Sequence, residues 1–184
     1  AVLRARRDWN DGLASFSVEL DSGPCPDFLP GQFTTLALPE DSSWDGDVIR
    51  RAYSIASSPR ANAFEFYVRL VDEGALTPRL FALEVGDAVF ADERISGNFT
   101  LERAQDAEHL LLIGTGTGVA PYRPMLEDPE TFERFGRVVL LYGARWPADL
   151  AYLEEFRELE RQQERFVLCT TVSGPRDELD PSWG

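Results

Sequence analysis

Gly114-Thr115-Gly116-Thr117-Gly118-Val119-Ala120-Pro121 follows the apolar run at 109–113 and precedes a segment of helical composition. A glycine-rich turn between a strand and a helix lets backbone amides cradle a phosphate, because glycine accepts the turn and admits a ligand close to the backbone. Such turns also serve plain strand–helix packing, so the surroundings decide. Residues 137–142 form a second continuous apolar run, the pattern of a strand buried on both faces, and the pair predicts a parallel βαβ unit. Residues 149–165 carry Leu150, Leu153, Phe156 and Leu159 with charges between them, an amphipathic helix. Residues 166–172 supply a third strand. From about residue 108 the chain therefore reads as the opening of an α/β nucleotide-binding sheet.

Three strands are fewer than the usual five or six. The chain stops at Pro181-Ser182-Trp183-Gly184, so this half reads as cut short at its C-terminus, with a minimal domain as the alternative.

Upstream the grammar differs. Short alternating stretches at 14–20, 31–38, 48–56, 63–71 and 88–91 are separated by turn-rich segments such as Ser57-Ser58-Pro59-Arg60-Ala61-Asn62. Strands at this spacing predict a small antiparallel barrel or sandwich. Residues 77–83 interrupt the pattern: Thr77 suits an N-cap, Pro78 the first helical position, and apolar residues then recur at helical spacing. The expected domains are 1–100 and 101–184, with a hinge at 94–106.

Within the strand at 48–56, Arg51-Ala52-Tyr53-Ser54 places Arg51 and Tyr53 on one face, since side chains alternate. A guanidinium beside an aromatic ring grips a diphosphate and supports a flat ring in one molecule. The Ser54 hydroxyl is available to a ring nitrogen. With the glycine turn, this suggests two nucleotide cofactors meeting at one site.

The acidic residue that dinucleotide-binding sheets place roughly 20 residues past the glycines is missing; Gly143-Ala144-Arg145 stands there. An arginine suits a 2′-phosphate, which favours NADP over NAD, and a solvated strand-end charge is the competing reading.

Composition narrows the classes. The formal charge is -14, with 18 arginines and no lysine, against a nucleic-acid binder, whose footprint would be basic. The acidity otherwise reads as a solvated surface. Two cysteines are too few for a four-cysteine iron–sulfur or zinc site, and no metal is expected; the single histidine, read as a surface residue and not a base, leaves no Ser-His-Asp machinery. His109 reads as a strand-flanking surface residue. No apolar run approaches the ~20 residues that cross a bilayer, so the expected location is cytoplasmic, with no membrane partner.

Pro30-Gly31-Gln32-Phe33, Arg51-Ala52-Tyr53-Ser54, Gly74-Ala75-Leu76-Thr77-Pro78-Arg79-Leu80, the glycine turn and Tyr142-Gly143-Ala144-Arg145 occur in an order that resembles the ferredoxin/flavodoxin–NADP reductases of the bacterial type. The resemblance spans essentially the whole chain. It implies an antiparallel Greek-key FAD-binding β-barrel followed by a parallel-sheet NADP-binding α/β domain, incomplete at its C-terminus. By that resemblance Arg51 holds the FAD diphosphate, with Ala52 beside it in the motif. Tyr53 packs on the isoalloxazine and Ser54 bonds near N5, the two residues nearest the chemistry. Tyr67, Val68, Arg69 and Leu70 line the flavin. Ala75, Leu76 and Thr77 meet the diphosphate. Gly116 and Thr117 lie where nicotinamide meets flavin, and Ala144, Arg145 and Ser173 take the NADP adenosine phosphate.

The activity implied is hydride transfer between NADP(H) and FAD, with single electrons passed to or from ferredoxin or flavodoxin by a monomer. Those carriers are acidic, so docking requires a local basic face, with Arg4, Arg6, Arg7, Arg50 and Arg69 as candidates. Alternatives are an NADH-dependent flavin or oxygenase reductase component, and a non-catalytic FAD-binding electron-transfer or regulatory subunit.

Overall fold

The computed structural model describes residues 1–41, 43–104 and 106–174; the closing Pro181-Ser182-Trp183-Gly184 lies outside the described residues. The chain divides into two compact units, Ala1–Arg103 with Ala120–Glu127, and Ala104–Val119 with the described residues from Asp128 on.

Among its described residues the first unit holds six strands, β1 (Val2–Asn10), β2 (Leu13–Glu19), β3 (Phe33–Pro39), β4 (Val48–Ser54), β5 (Phe64–Arg69) and β6 (Phe90–Ala91). They form two antiparallel sheets, ordered β1-β2-β5 and β4-β3-β6. Alternation explains the core: Phe16 and Val18 of β2 and Phe64, Phe66 and Val68 of β5 turn inward. They meet Leu36 and Leu38 of β3, and Leu76 and Leu80 of the α1 region, α1 being Thr77–Phe81.

Strand β1 has no counterpart in the sequence reading. Its register slips between Leu3 and Ala5 and again between Asp8 and Asn10, so its apolar residues do not keep the period of two that marks a strand.

Helix α2 (Tyr122–Glu127) belongs to this first unit although it follows the glycine turn. Met125 and Leu126 are buried, and Tyr122 packs against Phe99 with ring centroids 5.9 Å apart. Arg123 Nη1 donates to Ala56 O at 2.9 Å and to Glu65 Oε2 at 3.3 Å, and Nη2 pairs with Glu127 at 3.2 Å.

The second unit is a parallel sheet, β7 (His109–Thr115), β8 (Arg137–Ala144) and β9 (Phe166–Val172), in that order. Helices α3 (Pro129–Arg134) and α4 (Leu153–Gln162) accompany it. Phe132 of α3 meets Phe166, and Phe156 of α4 meets Tyr142. On the other face Leu111 and Ile113 stay 60% and 57% exposed.

Helix α4 is shorter than the 149–165 predicted. Pro147–Asp149 forms a 3-10 turn and buried Tyr152 sits at φ 60°, a left-handed conformation that a continuous right-handed helix cannot include. The helical segment expected after the glycine turn, from near Pro121, is divided into α2 and α3: Asp128 accepts from the Glu130 amide at 3.1 Å and Pro129 occupies the first turn, so a new helix starts there.

Candidate functional site

Strand β4 runs opposite β3, with Arg51 facing Leu36 and Tyr53 facing Thr34. The Tyr53 ring is half-buried and anchored edge-on against Phe66, centroids 6.4 Å apart. Burial pushes its phenol pKa up, and the nearby Arg51 charge pulls it down. Arg51 therefore lies within electrostatic reach of the tyrosine. Its Nη1 donates to Arg50 O at 2.7 Å, and among the described residues it forms no ion pair. An arginine without a carboxylate, in a chain carrying 32 acidic residues, suits an anionic ligand. Ala52 is exposed and Ser54 partly buried at the strand end, opposite Phe33.

Strand β5 divides its residues between faces. Val68 points into the core and pairs with Ala14 of β2, so its side chain is not presented to a ligand. Tyr67, although buried, lies on the other face opposite Ser15, with Arg69 opposite Leu13. Leu70 donates its amide to Gly12 O at 2.8 Å.

The segment before α1 corrects the capping assignment. Leu76 is the N-cap and carries no side-chain cap bond. The Thr77 hydroxyl instead donates to Val71 O at 3.1 Å and accepts from Val71 N at 3.0 Å. It closes the 71–77 loop by pairing with both backbone groups of Val71. Leu76 is buried in the core and Ala75 exposed. Helix α1 spans five residues, too short for a macrodipole of much strength, so any anion here would meet loop amides and nearby arginines. Arg79, which the sequence reading left unassigned, donates to Ala75 O at 2.6 Å and to Glu40 O at 3.1 Å. Its place four residues after Ala75, one helical turn on, was the available signal.

In the second unit the predicted residues gather at the C-terminal ends of parallel strands, where open α/β sheets bind ligands. Gly116 takes φ 51° in the 3-10 turn Gly116–Val119, and a Cβ on it or on Gly118 would meet nothing within 4 Å. Glycine at 116 answers the backbone, and the turn leaves open space for a ligand. Thr117 beside it is partly buried. The Ser173 amide donates to Ala144 O at 3.0 Å, and the Gly174 amide to Arg145 O at 2.8 Å. Arg145, exposed, stands over the Trp146 ring at 5.5 Å. A Cβ on Gly174 would sit 2.5 Å from that ring, so glycine lets Trp146 seat beneath Arg145. Trp146 and Gly174 were missed because neither carries a charge or hydroxyl.

The proposed basic face is largely engaged in the first unit. Arg4 pairs with Glu19 at 2.7 Å and Arg6 with Asp8 at 2.7 Å. Arg6 also stands over Phe16 and Phe81, Arg7 over Trp9, and Arg50 over Phe90. No helix among the described residues is long and apolar enough to cross a membrane. No group of three or more His, Cys, Asp or Glu among them could hold a metal ion.

The fold is an antiparallel unit and a parallel sheet of the nucleotide-binding type, and comparison with known proteins agrees with that division. The model of the oxidoreductase FAD-binding domain matches residues 1–96, and that of the oxidoreductase NAD-binding domain residues 112–183. A flavodoxin/ferredoxin–NADP reductase of Shigella flexneri is 39% identical over 166 residues, 90% of this chain and 64% of that protein. A ferredoxin–NADP reductase of Pseudomonas aeruginosa is 37% identical over 158 residues, 86% and 59% respectively. A crystal structure of a ferredoxin NADP+ reductase from Neisseria gonorrhoeae with bound FAD and NADP superposes with a TM-score of 0.82 at 27% identity, over 97% of this chain and 70% of that one. The chain belongs to the FAD-binding oxidoreductase family of the ferredoxin/flavodoxin–NADP reductases. It spans less than two thirds of the length of these curated relatives.

Proposed function

We propose that the chain is the FAD-binding and NADP-binding part of a reductase that exchanges hydride with NADP(H) and single electrons with ferredoxin or flavodoxin. The observation that carries this reading is Arg51, free of any ion pair among the described residues, beside the half-buried ring of Tyr53 on β4. Bound FAD would supply the redox chemistry, accepting electrons in pairs and releasing them singly.

The protein's own residues bind and orient. Arg51 holds the diphosphate with charge-assisted bonds, and Tyr53, fixed by Phe66, supports one face of the ring system. The Ser54 hydroxyl bonds at the ring's reactive edge, and loop 75–77 offers amides to the diphosphate. Gly116 and Thr117 receive the nicotinamide end, while Ala144, Arg145 and Ser173 take the adenosine 2′-phosphate. The working division is 1–100 for FAD and 101–184 for NADP. We place the protein in the cytoplasm as a monomer; its two free thiols, Cys25 and Cys169, suit a reducing compartment.

The test is reconstitution: protein incubated with FAD and desalted should retain a flavin spectrum in stoichiometric amount. A colourless protein after that treatment refutes the reading.

A further inference from the structure

The β3–β4 connection carries a tryptophan with nothing on it. Trp44 is 48% exposed, and among the described residues it makes no hydrogen bond, ring contact or cation contact. Trp9, by contrast, donates to Ser15 Oγ and lies under Arg7, and Trp146 lies against Gly174. An exposed indole at a turn is a stacking surface, and its neighbourhood says for what.

The Glu40 amide donates to Asp47 O at 2.9 Å, closing the connection just beyond the strand pair. Near its tip the Ser43 amide donates to Asp41 Oδ1 at 3.1 Å and the Gly46 amide to Ser43 O at 3.4 Å. Trp44 is thus held on a turn and not on an open strand. The base of that turn is pinned beside the proposed diphosphate loop, because the Arg79 guanidinium bridges Glu40 O at 3.1 Å and Ala75 O at 2.6 Å. Along β4 the order from ring to diphosphate runs from Tyr53 and Ser54 to Arg51. Continuing the same way, the strand begins at Val48, about 10 Å from Arg51 at ~3.3 Å per residue. Beyond Val48 comes the Trp44 turn. A ligand with its flat ring at Tyr53 and its diphosphate at Arg51 has its far end directed there.

Charge selects what that far end is. Glu40, Asp41, Asp45 and Asp47 surround Trp44 in sequence, which repels a further anion and leaves a neutral base unopposed.

We propose that Trp44 is the stacking platform for the adenine of FAD. This rests on the flavin reading above and adds a residue to it. Base–aromatic stacking of this kind changes affinity on the order of ten-fold per base.

The test measures dissociation constants of the 1–184 chain for FAD and for FMN, which lacks the adenosine, in the wild type, Trp44→Ala and Trp44→Phe. Trp44→Ala should weaken FAD roughly ten-fold while leaving FMN unchanged, and Trp44→Phe should recover most of the loss. Unchanged FAD affinity in Trp44→Ala, or equal weakening of both flavins, overturns the assignment of Trp44 while the flavin reading stands. A wild-type chain that binds neither flavin overturns both.

Discussion

Thr77 and Val71 exchange two hydrogen bonds, the threonine hydroxyl donating to Val71 O at 3.1 Å and accepting from Val71 N at 3.0 Å. This clasp makes the 71–77 loop a closed ring with Gly74 inside it. A Cβ at Gly74 would lie 2.9 Å from Val71 O and 3.0 Å from Thr77 Oγ1. Gly74→Ala should therefore force the clasp open, at about 1–3 kcal/mol for overpacking, and weaken FAD along with it. Urea denaturation and flavin titration of the variant check both effects; wild-type values in both would mean that the loop is soft and the clasp immaterial.

Arg51→Ala should weaken FAD by about 1.5–3 kcal/mol, the range for hydrogen bonds to charged groups. Because Arg51 forms no ion pair among the described residues, its removal leaves no orphaned carboxylate, and stability without flavin should stay within about 0.5 kcal/mol. Flavin titration and apoprotein melting separate the two quantities. Unchanged FAD affinity would remove Arg51 from the site.

Much of this was legible in the sequence, for identifiable reasons. Runs 109–113 and 137–142 announced β7 and β8 because strands of a parallel sheet are apolar and continuous. Arg51 and Tyr53 shared a face because the strand period is two. The failures have physical causes as well. Strand β1 hid behind two register slips, and α4 lost its first turn to the left-handed Tyr152. Thr77 has an N-cap's chemistry, yet its hydroxyl went to Val71, six residues back across the loop and outside the helix-capping pattern. The Arg145–Trp146–Gly174 stack depends on β8 and β9 ending side by side, which no single segment encodes.

Arg123 links α2 to the strands of the first unit through Ala56 O and Glu65, and its side chain is only 17% exposed. Arg123→Met keeps the apolar stem and removes the charge. The loss should be about 1.5–3 kcal/mol, read as a lower urea midpoint. An unchanged midpoint would show that α2 is held without the Arg123 charge, by its buried apolar contacts.

The two thiols should differ in reactivity. Burial raises the Cys25 pKa and so suppresses its thiolate at neutral pH, while Cys169 is exposed on β9. Iodoacetamide should label Cys169 first. Raising the pH should narrow the gap, since a raised pKa delays ionisation without preventing it. Peptide mass spectrometry over time gives the order, and faster labelling of Cys25 would contradict the burial argument.

Arg145, stacked on Trp146 and adjoining Ser173, is the proposed reader of the 2′-phosphate. Arg145→Ala should cut the preference for NADP+ over NAD+ by about ten-fold, mostly through binding, as the phosphate lies far from the reacting carbon. Paired titrations with the two coenzymes measure it. A preference that survives the substitution would make Arg145 an ordinary surface charge.

The most direct test of the account is an anaerobic titration of the FAD-loaded chain with NADPH, followed by visible absorbance and compared with dithionite. The account predicts that NADPH bleaches the flavin band, and more readily than NADH does. Flavin that dithionite bleaches but NADPH leaves untouched would contradict it.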